Sequence, residues 1–95
     1  MSSYRYSRKA KEDLRRIAAY TKERGEEQAR VYLSDLERVC QRVALLPMSG
    51  SEASERAGYR KVPCEGSTIY YRLYEGGQIE IVRILHARML AERHL

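Results

Sequence analysis

Apolar residues recur every three or four positions through the first half of the chain, and this spacing predicts two amphipathic helices. The first begins after Tyr4-Arg5-Tyr6, a short strand-like run, with Ser7 as a suitable N-cap. Its apolar positions are Ala10, Leu14, Ile17, Ala18 and Thr21. Gly25 ends it, and a second stripe runs to Pro47 through Ala29, Tyr32, Leu33, Leu36, Cys40, Val43 and Leu46. So short a connection predicts a helical hairpin.

The second half of the chain consists of runs of β-branched and aromatic residues, which predict strands. We expect strands at about 58–63, 67–75 and 78–86, with turns at Glu65-Gly66 and Gly76-Gly77. Residues 48–57 have no periodicity and many small polar side chains, so we expect a loop there. The pattern as a whole predicts an α+β fold.

A two-residue Gly76-Gly77 turn would fix the pairing of the last two strands. The face toward the helices would then carry two cross-strand pairs, Tyr71 with Val82 and Ile69 with Ile84. The opposite face would carry three pairs, Tyr74 with Ile79, Arg72 with Ile81, and Tyr70 with Arg83. That second face is aromatic, aliphatic and basic at once.

Arginines inside apolar strands cost free energy unless the guanidinium finds water or an anionic partner. We therefore interpret the face that carries Arg72 and Arg83 as an outward binding surface. The alternative is that these arginines merely snorkel at the edge of the sheet. A register slip of one residue would exchange the two faces, so the interpretation depends on the turn.

Composition and charge fit one small domain over residues 1–95. The chain is 43% hydrophobic and 33% charged, and eight tyrosines supply all its aromatic side chains because it has no Phe and no Trp. A net charge of +5 suits an acidic partner, either nucleic acid or an acidic protein segment, and charge alone does not separate these. No apolar run approaches the length of a membrane span, so we expect a cytoplasmic protein.

Metal binding and covalent catalysis find little support in the sequence. The two cysteines and the two histidines, His86 and His94, do not have metal-ligand spacing, so we expect no metal and no cofactor. Cys40 falls on the apolar side of the second helix and is expected in the core. Cys64 could act as a nucleophile only with a base and an orienting group beside it.

General acid–base chemistry on RNA is the enzymatic alternative. His86 has a side chain that could serve as acid or base, although a histidine at the end of a strand is more often a packing or hydrogen-bonding group. Positive charge for a phosphate could come from Arg60, Lys61, Arg72, Arg83 and Arg88. Arg60, after Gly58-Tyr59, fits a solvated position and a contact surface equally well.

Several segments follow one another in an order that has a known counterpart. They are Ser7 through Leu14, Tyr20-Thr21, Gln28-Ala29 through Leu36, Pro47, Gly58-Tyr59-Arg60, Ile69-Tyr70-Tyr71-Arg72 and Arg83-Ile84-Leu85-His86-Ala87-Arg88-Met89. In this order and spacing the chain resembles the ParE family of toxins from type II toxin–antitoxin operons, within the RelE/ParE superfamily. Two positions depart from the family pattern: no tryptophan precedes Gly25, and Leu90 stands where an aspartate is usual.

The resemblance implies the order β-α-α-β-β-β, with the helical hairpin packed on one face of a twisted antiparallel sheet. It implies a toxin that inhibits DNA gyrase by binding, with the A subunit as the expected contact, and that is not an enzyme and does not contact nucleic acid directly. A ParD-like antitoxin would neutralise it in a hetero-oligomer. Two alternatives stay open: a ribosome-dependent mRNA interferase of the RelE kind, or an inactivated toxin that only binds its antitoxin.

The candidate site residues fall into two sets. Target contact is assigned to Arg60, Arg83, His86, Arg88 and Met89. Antitoxin contact is assigned to Ala10, Leu14, Ile17, Tyr70, Arg72 and Tyr74.

Overall fold

Two helices pack on one face of a five-stranded sheet in the computed structural model, which describes residues 3–86 and 91–95. The elements in chain order are β1 (Tyr4–Tyr6), α1 (Arg8–Lys22), α2 (Glu26–Leu45), β2 (Ser51–Glu52), β3 (Arg60–Cys64), β4 (Ser67–Leu73), β5 (Ile79–His86) and α3 (Ala91–His94). The strand order across the sheet is β1-β5-β4-β3-β2. The predicted α+β architecture is confirmed.

The sheet differs in two respects from the predicted one. It is mixed, because β1 runs parallel to β5 while the other neighbouring strands are antiparallel. The stretch expected to be a loop also contributes β2, whose two residues pair with β3. A strand of two residues leaves no periodic pattern in the sequence, which explains why it was not predicted.

Ser7 joins α1 to the sheet through its own hydroxyl. As predicted, it is the N-cap, and its Oγ accepts the Ala10 N–H at 3.0 Å. The same hydroxyl donates to the Val82 carbonyl of β5 at 2.7 Å. At the other end of α1, Gly25 has φ +139°, so the chain turns at once into α2.

The core lies between the helices and the sheet. Its buried members are Ala10, Leu36, Cys40, Val43, Val62, Cys64, Ile69, Tyr71, Ile79, Ile81 and Ile84. The predicted core position of Cys40 is confirmed, and burial raises the pKa of its thiol to about 11. This thiol therefore stays protonated at neutral pH and serves as packing.

The pairing of β4 with β5 follows the predicted register in one half only. Tyr70 faces Arg83 and Ile69 faces Ile84, as expected, but a β-bulge then moves the register by one residue. Beyond the bulge Tyr71 faces Ile81 and Arg72 faces Glu80. The expected pairs of Tyr71 with Val82, Arg72 with Ile81 and Tyr74 with Ile79 are therefore wrong. Ile79 and Ile81 consequently belong to the helix-side core and not to the outer face.

The turn between these strands is longer than the two residues expected. A turn of three residues, Glu75–Gly77, connects them with Gly76 and Gly77 at positive φ, and the Tyr74 N–H donates to the Gln78 carbonyl at 2.7 Å. The longer turn compensates for the residue that the bulge inserts into β5. As a result of this register, Arg72 lies opposite the carboxylate of Glu80 on the neighbouring strand.

The segment after α2 is fastened to the sheet around Gly50. The Tyr71 hydroxyl donates to the Pro47 carbonyl at 2.7 Å and accepts the Gly50 N–H at 3.0 Å. The Arg60 guanidinium donates to the carbonyls of Met48 and Gly50. No room remains for a side chain here, because a β-carbon on Gly50 would lie 2.5 Å from the Tyr71 hydroxyl oxygen and 2.7 Å from the Lys61 carbonyl oxygen.

Gly50→Ala should therefore lower the free energy of unfolding by about 1–3 kcal/mol, the usual cost of overpacking. Urea unfolding followed by circular dichroism measures the change. Gly66→Ala is the matched control, because a β-carbon there meets no atom within 4 Å, and it should change the free energy by less than about 0.5 kcal/mol. Equal midpoints for the two variants would show that the close approach at Gly50 is not a constraint.

Candidate functional site

The outer face of the sheet, away from α1 and α2, has a charged end near the turn between β4 and β5. Arg72 donates through Nε to Glu80 Oε1 at 3.0 Å, and the Tyr74 hydroxyl donates to the same oxygen at 2.8 Å. The guanidinium groups of Arg72 and Arg5 lie over the Tyr74 ring, at 4.7 Å and 4.6 Å from its centroid. The four side chains form one cluster that still carries a net positive charge.

The other end of the outer face is apolar and covered. Tyr70, Leu85 and Ala53 form a buried cluster, and Tyr59 and Leu95 pack against it. Glu55 accepts hydrogen bonds from the Tyr70 hydroxyl at 2.9 Å and from Lys61 Nζ at 3.2 Å. The covering residues therefore come from the segment before β3 and from the last residue of the chain.

Arg83 does not lie on an open surface, contrary to the sequence-based expectation. It is 7% exposed, and its Nε and Nη2 donate to the two carboxylate oxygens of Asp13 at 2.8 Å and 2.9 Å. Asp13 belongs to α1 and is itself 1% exposed. The predicted outward surface containing Arg72 and Arg83 together is therefore wrong, and the anionic partner that a buried arginine requires is Asp13.

Asp13 also completes the edge of β5. Strand β1 accompanies β5 only as far as the pair Tyr6–Ile81. Beyond that point the backbone N–H of Ile84 donates to Asp13 Oδ2 at 2.9 Å, and Arg16 forms a further ion pair with the carboxylate. The Asp13 side chain of α1 thus satisfies a backbone N–H at the edge of β5 that lies beyond the end of β1.

The environment of Asp13 favours the ionised carboxylate. Burial on its own raises the pKa of this group, but the hydrogen bonds from Arg83 and Ile84, with the charges of Arg83 and Arg16, outweigh burial. The net result is a pKa below the ordinary value for aspartate. The Asp13 hydrogen bond likewise raises the pKa of Arg83, so both groups stay charged at neutral pH.

The same arginine holds the end of the chain. Its Nη1 donates to the His94 carbonyl at 2.8 Å, next to Leu95 on the apolar cluster of the outer face. All three guanidinium nitrogens of Arg83 therefore donate hydrogen bonds within the protein. Arg83 connects α1, β5 and the end of α3.

The five residues assigned to target contact have different positions. His86 is exposed at the end of β5, whereas Arg83 is buried and Arg60 is turned toward the segment at Gly50. Arg88 and Met89 lie outside the described residues. Of this set, His86 is the described residue whose side chain is open to a partner, and the roles of all five stay predictions.

The six residues assigned to antitoxin contact do not form one surface. Ala10 is fully buried in the core and Tyr70 is 4% exposed, so neither side chain can contact a partner without rearrangement. Leu14 and Ile17 are half-buried on the helix side of the sheet. Arg72 and Tyr74 are half-buried on the outer face. The assignment of these residues to antitoxin contact stays a prediction, and the burial of Ala10 shows that amphipathic periodicity marks core positions as readily as contact positions.

A cleft of about 730 Å³ opens between the helical hairpin and the end of the sheet where His86 lies. Arg16, Ile17, Tyr20 and Arg24 line it from the side of α1. The remaining lining residues are Thr21, Gln28, Tyr32, Gly66, Ser67 and His86. The Tyr32 hydroxyl is hydrogen-bonded to the Ser67 hydroxyl at 2.5 Å, which closes the inner wall between α2 and β4.

Cys64 and His86 lie on either side of Ser67 in neighbouring strands. Burial raises the pKa of the Cys64 thiol, with further contributions from Glu65 and Asp35, so the nucleophilic thiolate is disfavoured. Within residues 3–86 and 91–95, no three His, Cys, Asp or Glu residues are grouped so that they could hold a metal ion. No helix in the same part of the chain is long and apolar enough to span a membrane.

Comparison with known proteins identifies the class to which this fold belongs. The family model for the ParE toxin of the type II toxin–antitoxin system parDE matches residues 4–91. A solved structure described as the chromosomal ParDE toxin–antitoxin system from P. aeruginosa superposes with a TM-score of 0.74 at 27% identity, covering 90% of this chain and 96% of that one. Both matches extend over nearly the whole chain.

Two curated proteins, each named Toxin ParE1, match at higher identity. The one from Caulobacter vibrioides is 39% identical, covering 100% of this chain and 99% of its own length. The one from Mycobacterium tuberculosis (strain ATCC 25618 / H37Rv) is 38% identical, covering 99% and 98%. The chain belongs to the ParE family of toxins of type II toxin–antitoxin systems.

Sequence reasoning missed the acidic partners of the strand arginines. Asp13 adjoins the apolar position Leu14, but a charged residue in an amphipathic helix is usually solvated, so the helical pattern does not indicate its burial. A register without a bulge places Glu80 away from Arg72, so the pairing of these two residues does not follow from the turn. The signal in the sequence is the presence of arginines in apolar strands, because a buried guanidinium requires a carboxylate partner.

Asp13→Ala should lower the free energy of unfolding by about 3–5 kcal/mol, because it leaves Arg83 as a buried charge without its partner. Denaturant unfolding of the single variants Asp13→Ala and Arg83→Ala and of the double variant measures the interaction. The double variant should cost less than the sum of the single ones, by about 0.5–3 kcal/mol. Strictly additive costs would contradict the pairing.

The lowered pKa of Asp13 also predicts a dependence of stability on pH. The ionised carboxylate stabilises the fold fully above the unfolded-state pKa of about 4, and this contribution is lost as pH falls through the lower folded-state pKa. The stability difference between the wild type and Asp13→Asn should therefore be constant above about pH 5 and shrink below about pH 4. Thermal unfolding across this range is the measurement, with Glu12→Gln, an exposed position on the same helix, as the control. A difference that stays constant into strong acid would refute the assignment.

Proposed function

We propose that this chain is a toxin that inhibits DNA gyrase by binding to it, and that a ParD-like antitoxin neutralises it in the cytoplasm. The observation that carries the proposal is the match over nearly the whole chain to the ParE toxin family and to two proteins named Toxin ParE1. The protonated thiols of Cys40 and Cys64 support an action by binding rather than by covalent catalysis.

The structure supports two different roles among the residues assigned to target contact. His86, Arg88 and Met89 belong to the end of β5 and the segment after it, and we propose that they contact gyrase. Arg83 and Arg60 make their hydrogen bonds inside the protein, to Asp13, His94 and the segment at Gly50. We therefore propose that these two arginines hold the contact region in place and do not touch the target.

An mRNA interferase is the second candidate, and the cleft is the observation in its favour. His86, Arg16 and Arg24 line the same cleft, so a proton-transfer group and two cations share one opening. Cleavage of RNA through the ribose hydroxyl requires those two kinds of group. The experiment that tests the main proposal must therefore include an RNA cleavage assay.

Wild-type toxin added to purified gyrase should abolish DNA supercoiling and should leave mRNA on translating ribosomes uncut. Unaffected supercoiling at saturating toxin would overturn the proposal, and cleaved transcripts that disappear in His86→Ala would establish the interferase in its place.

His86→Ala should raise the toxin concentration needed for half-inhibition of gyrase about tenfold, the effect of losing an energetically important contact. It should leave the unfolding midpoint nearly unchanged, since the side chain is exposed. Lys9→Ala, an exposed position on α1, is the control and should inhibit like the wild type. Equal inhibition by His86→Ala and Lys9→Ala would remove His86 from the contact region.

A further inference from the structure

The cleft between the helical hairpin and the sheet has a strongly one-sided charge. Arg16 and Arg24 supply positive charge to its lining, and among the described lining residues none carries a carboxylate. The Arg24 guanidinium lies 5.1 Å from the centroid of the Tyr20 ring and donates to its hydroxyl at 2.8 Å. A cation in this position is held in a fixed direction by an aromatic ring, so less entropy is lost when an anion binds to it.

The walls of the cleft are apolar between these cations. Ile17 and Tyr32 are half-buried and face the core, while Tyr20 is 52% exposed and is one of the large hydrophobic side chains that remain in solvent. An opening that combines exposed aromatic surface with cations fits a ligand that carries apolar and acidic groups close together.

We propose that this cleft receives an acidic segment of the antitoxin, with an apolar side chain against Ile17 and Tyr20 and a carboxylate against Arg24 and Arg16. The inference rests on the proposed function, since it assigns a place on the toxin to the neutralising partner. It replaces the dispersed antitoxin-contact set with one continuous opening, which retains only Ile17 from that set.

Arg16 can turn toward such a carboxylate without leaving a buried charge behind. It now pairs with Asp13 from a largely exposed position. Asp13 would keep three hydrogen bonds without it, two from Arg83 and one from the Ile84 backbone. Little free energy is therefore needed to turn Arg16 toward a ligand, because Asp13 does not depend on it.

The surroundings of the cleft favour a peptide over a nucleic acid. Glu65 precedes Gly66 of the cleft lining, and a side-chain hydrogen bond with Asp35, together with the negative charge of Asp35, raises the pKa of Glu65. A polyphosphate chain carries its charge at every step and would be repelled at this corner. A peptide can place its carboxylates at the arginines alone, so the charge pattern suits it better.

The test compares two charge reversals at the same end of α1. Arg24→Glu changes a cleft residue, and the control Lys22→Glu makes the same change at an exposed position that does not line the cleft. Both should cost equally little in stability, because both place an acid near the C-terminal end of a helix. The binding partner in the assay is the antitoxin encoded beside the toxin gene, and calorimetry at low and moderate salt gives the dissociation constants.

We expect Arg24→Glu to raise the dissociation constant at least about tenfold and Lys22→Glu to raise it about twofold or less. Tyr20→Ser, which removes exposed aromatic surface, should also weaken binding. Equal affinity of the two charge-reversed proteins would overturn the inference while leaving the proposed function intact. Failure of the wild type to bind the antitoxin would overturn the proposed function itself.

A short single-stranded RNA serves as the competing ligand in the same assay. Because the proposal assigns the cleft to a peptide, RNA should not displace the antitoxin from the wild type. Binding of RNA that is lost in Arg24→Glu, with antitoxin binding unchanged, would assign the cleft to nucleic acid and overturn the inference.

Discussion

The buried ion pair between Asp13 and Arg83 is the interaction on which the arrangement of this molecule depends. It joins α1 to β5 through two charge-assisted hydrogen bonds, and the same carboxylate satisfies a backbone N–H at the strand edge. Desolvation makes such a pair a weak source of net stability, but loss of either partner leaves an expensive buried charge. The pair therefore acts as a geometric constraint that permits one placement of the helix on the sheet.

That constraint explains where the open surfaces of the protein lie. Beyond the end of β1, Asp13 of α1 accepts a backbone hydrogen bond from β5, so α1 lies along this part of the sheet edge. Arg16 and Arg24 follow Asp13 along this helix and its end, so they reach the opening beside His86. Arg83 also donates to the His94 carbonyl, and the next residue, Leu95, packs on the apolar cluster of the outer face. One buried arginine thus fixes both the cleft and the end of the chain.

The sequence predicted the elements that depend on local pattern. The helix ends at Ser7 and Gly25, the core position of Cys40 and the Glu65-Gly66 turn all follow from neighbours a few residues away. The bulge in β5 could not be predicted, because an inserted residue preserves apolar composition while it exchanges the faces beyond it. The partner of Arg83 lies 70 positions away, and a helical pattern cannot show that one of its charged residues is buried.

These findings change how variants of the basic residues should be interpreted. Arg60 and Arg83 donate to internal carbonyls and to a buried carboxylate, so a substitution at either position alters the fold before it alters any contact. Arg24 and His86 are exposed at the cleft, and substitutions there change the charge offered to a partner while the core is preserved. Loss of activity therefore has different meanings at the two kinds of position. Only the exposed set can distinguish target contact from antitoxin contact, since for the buried set both functions fail together with the structure.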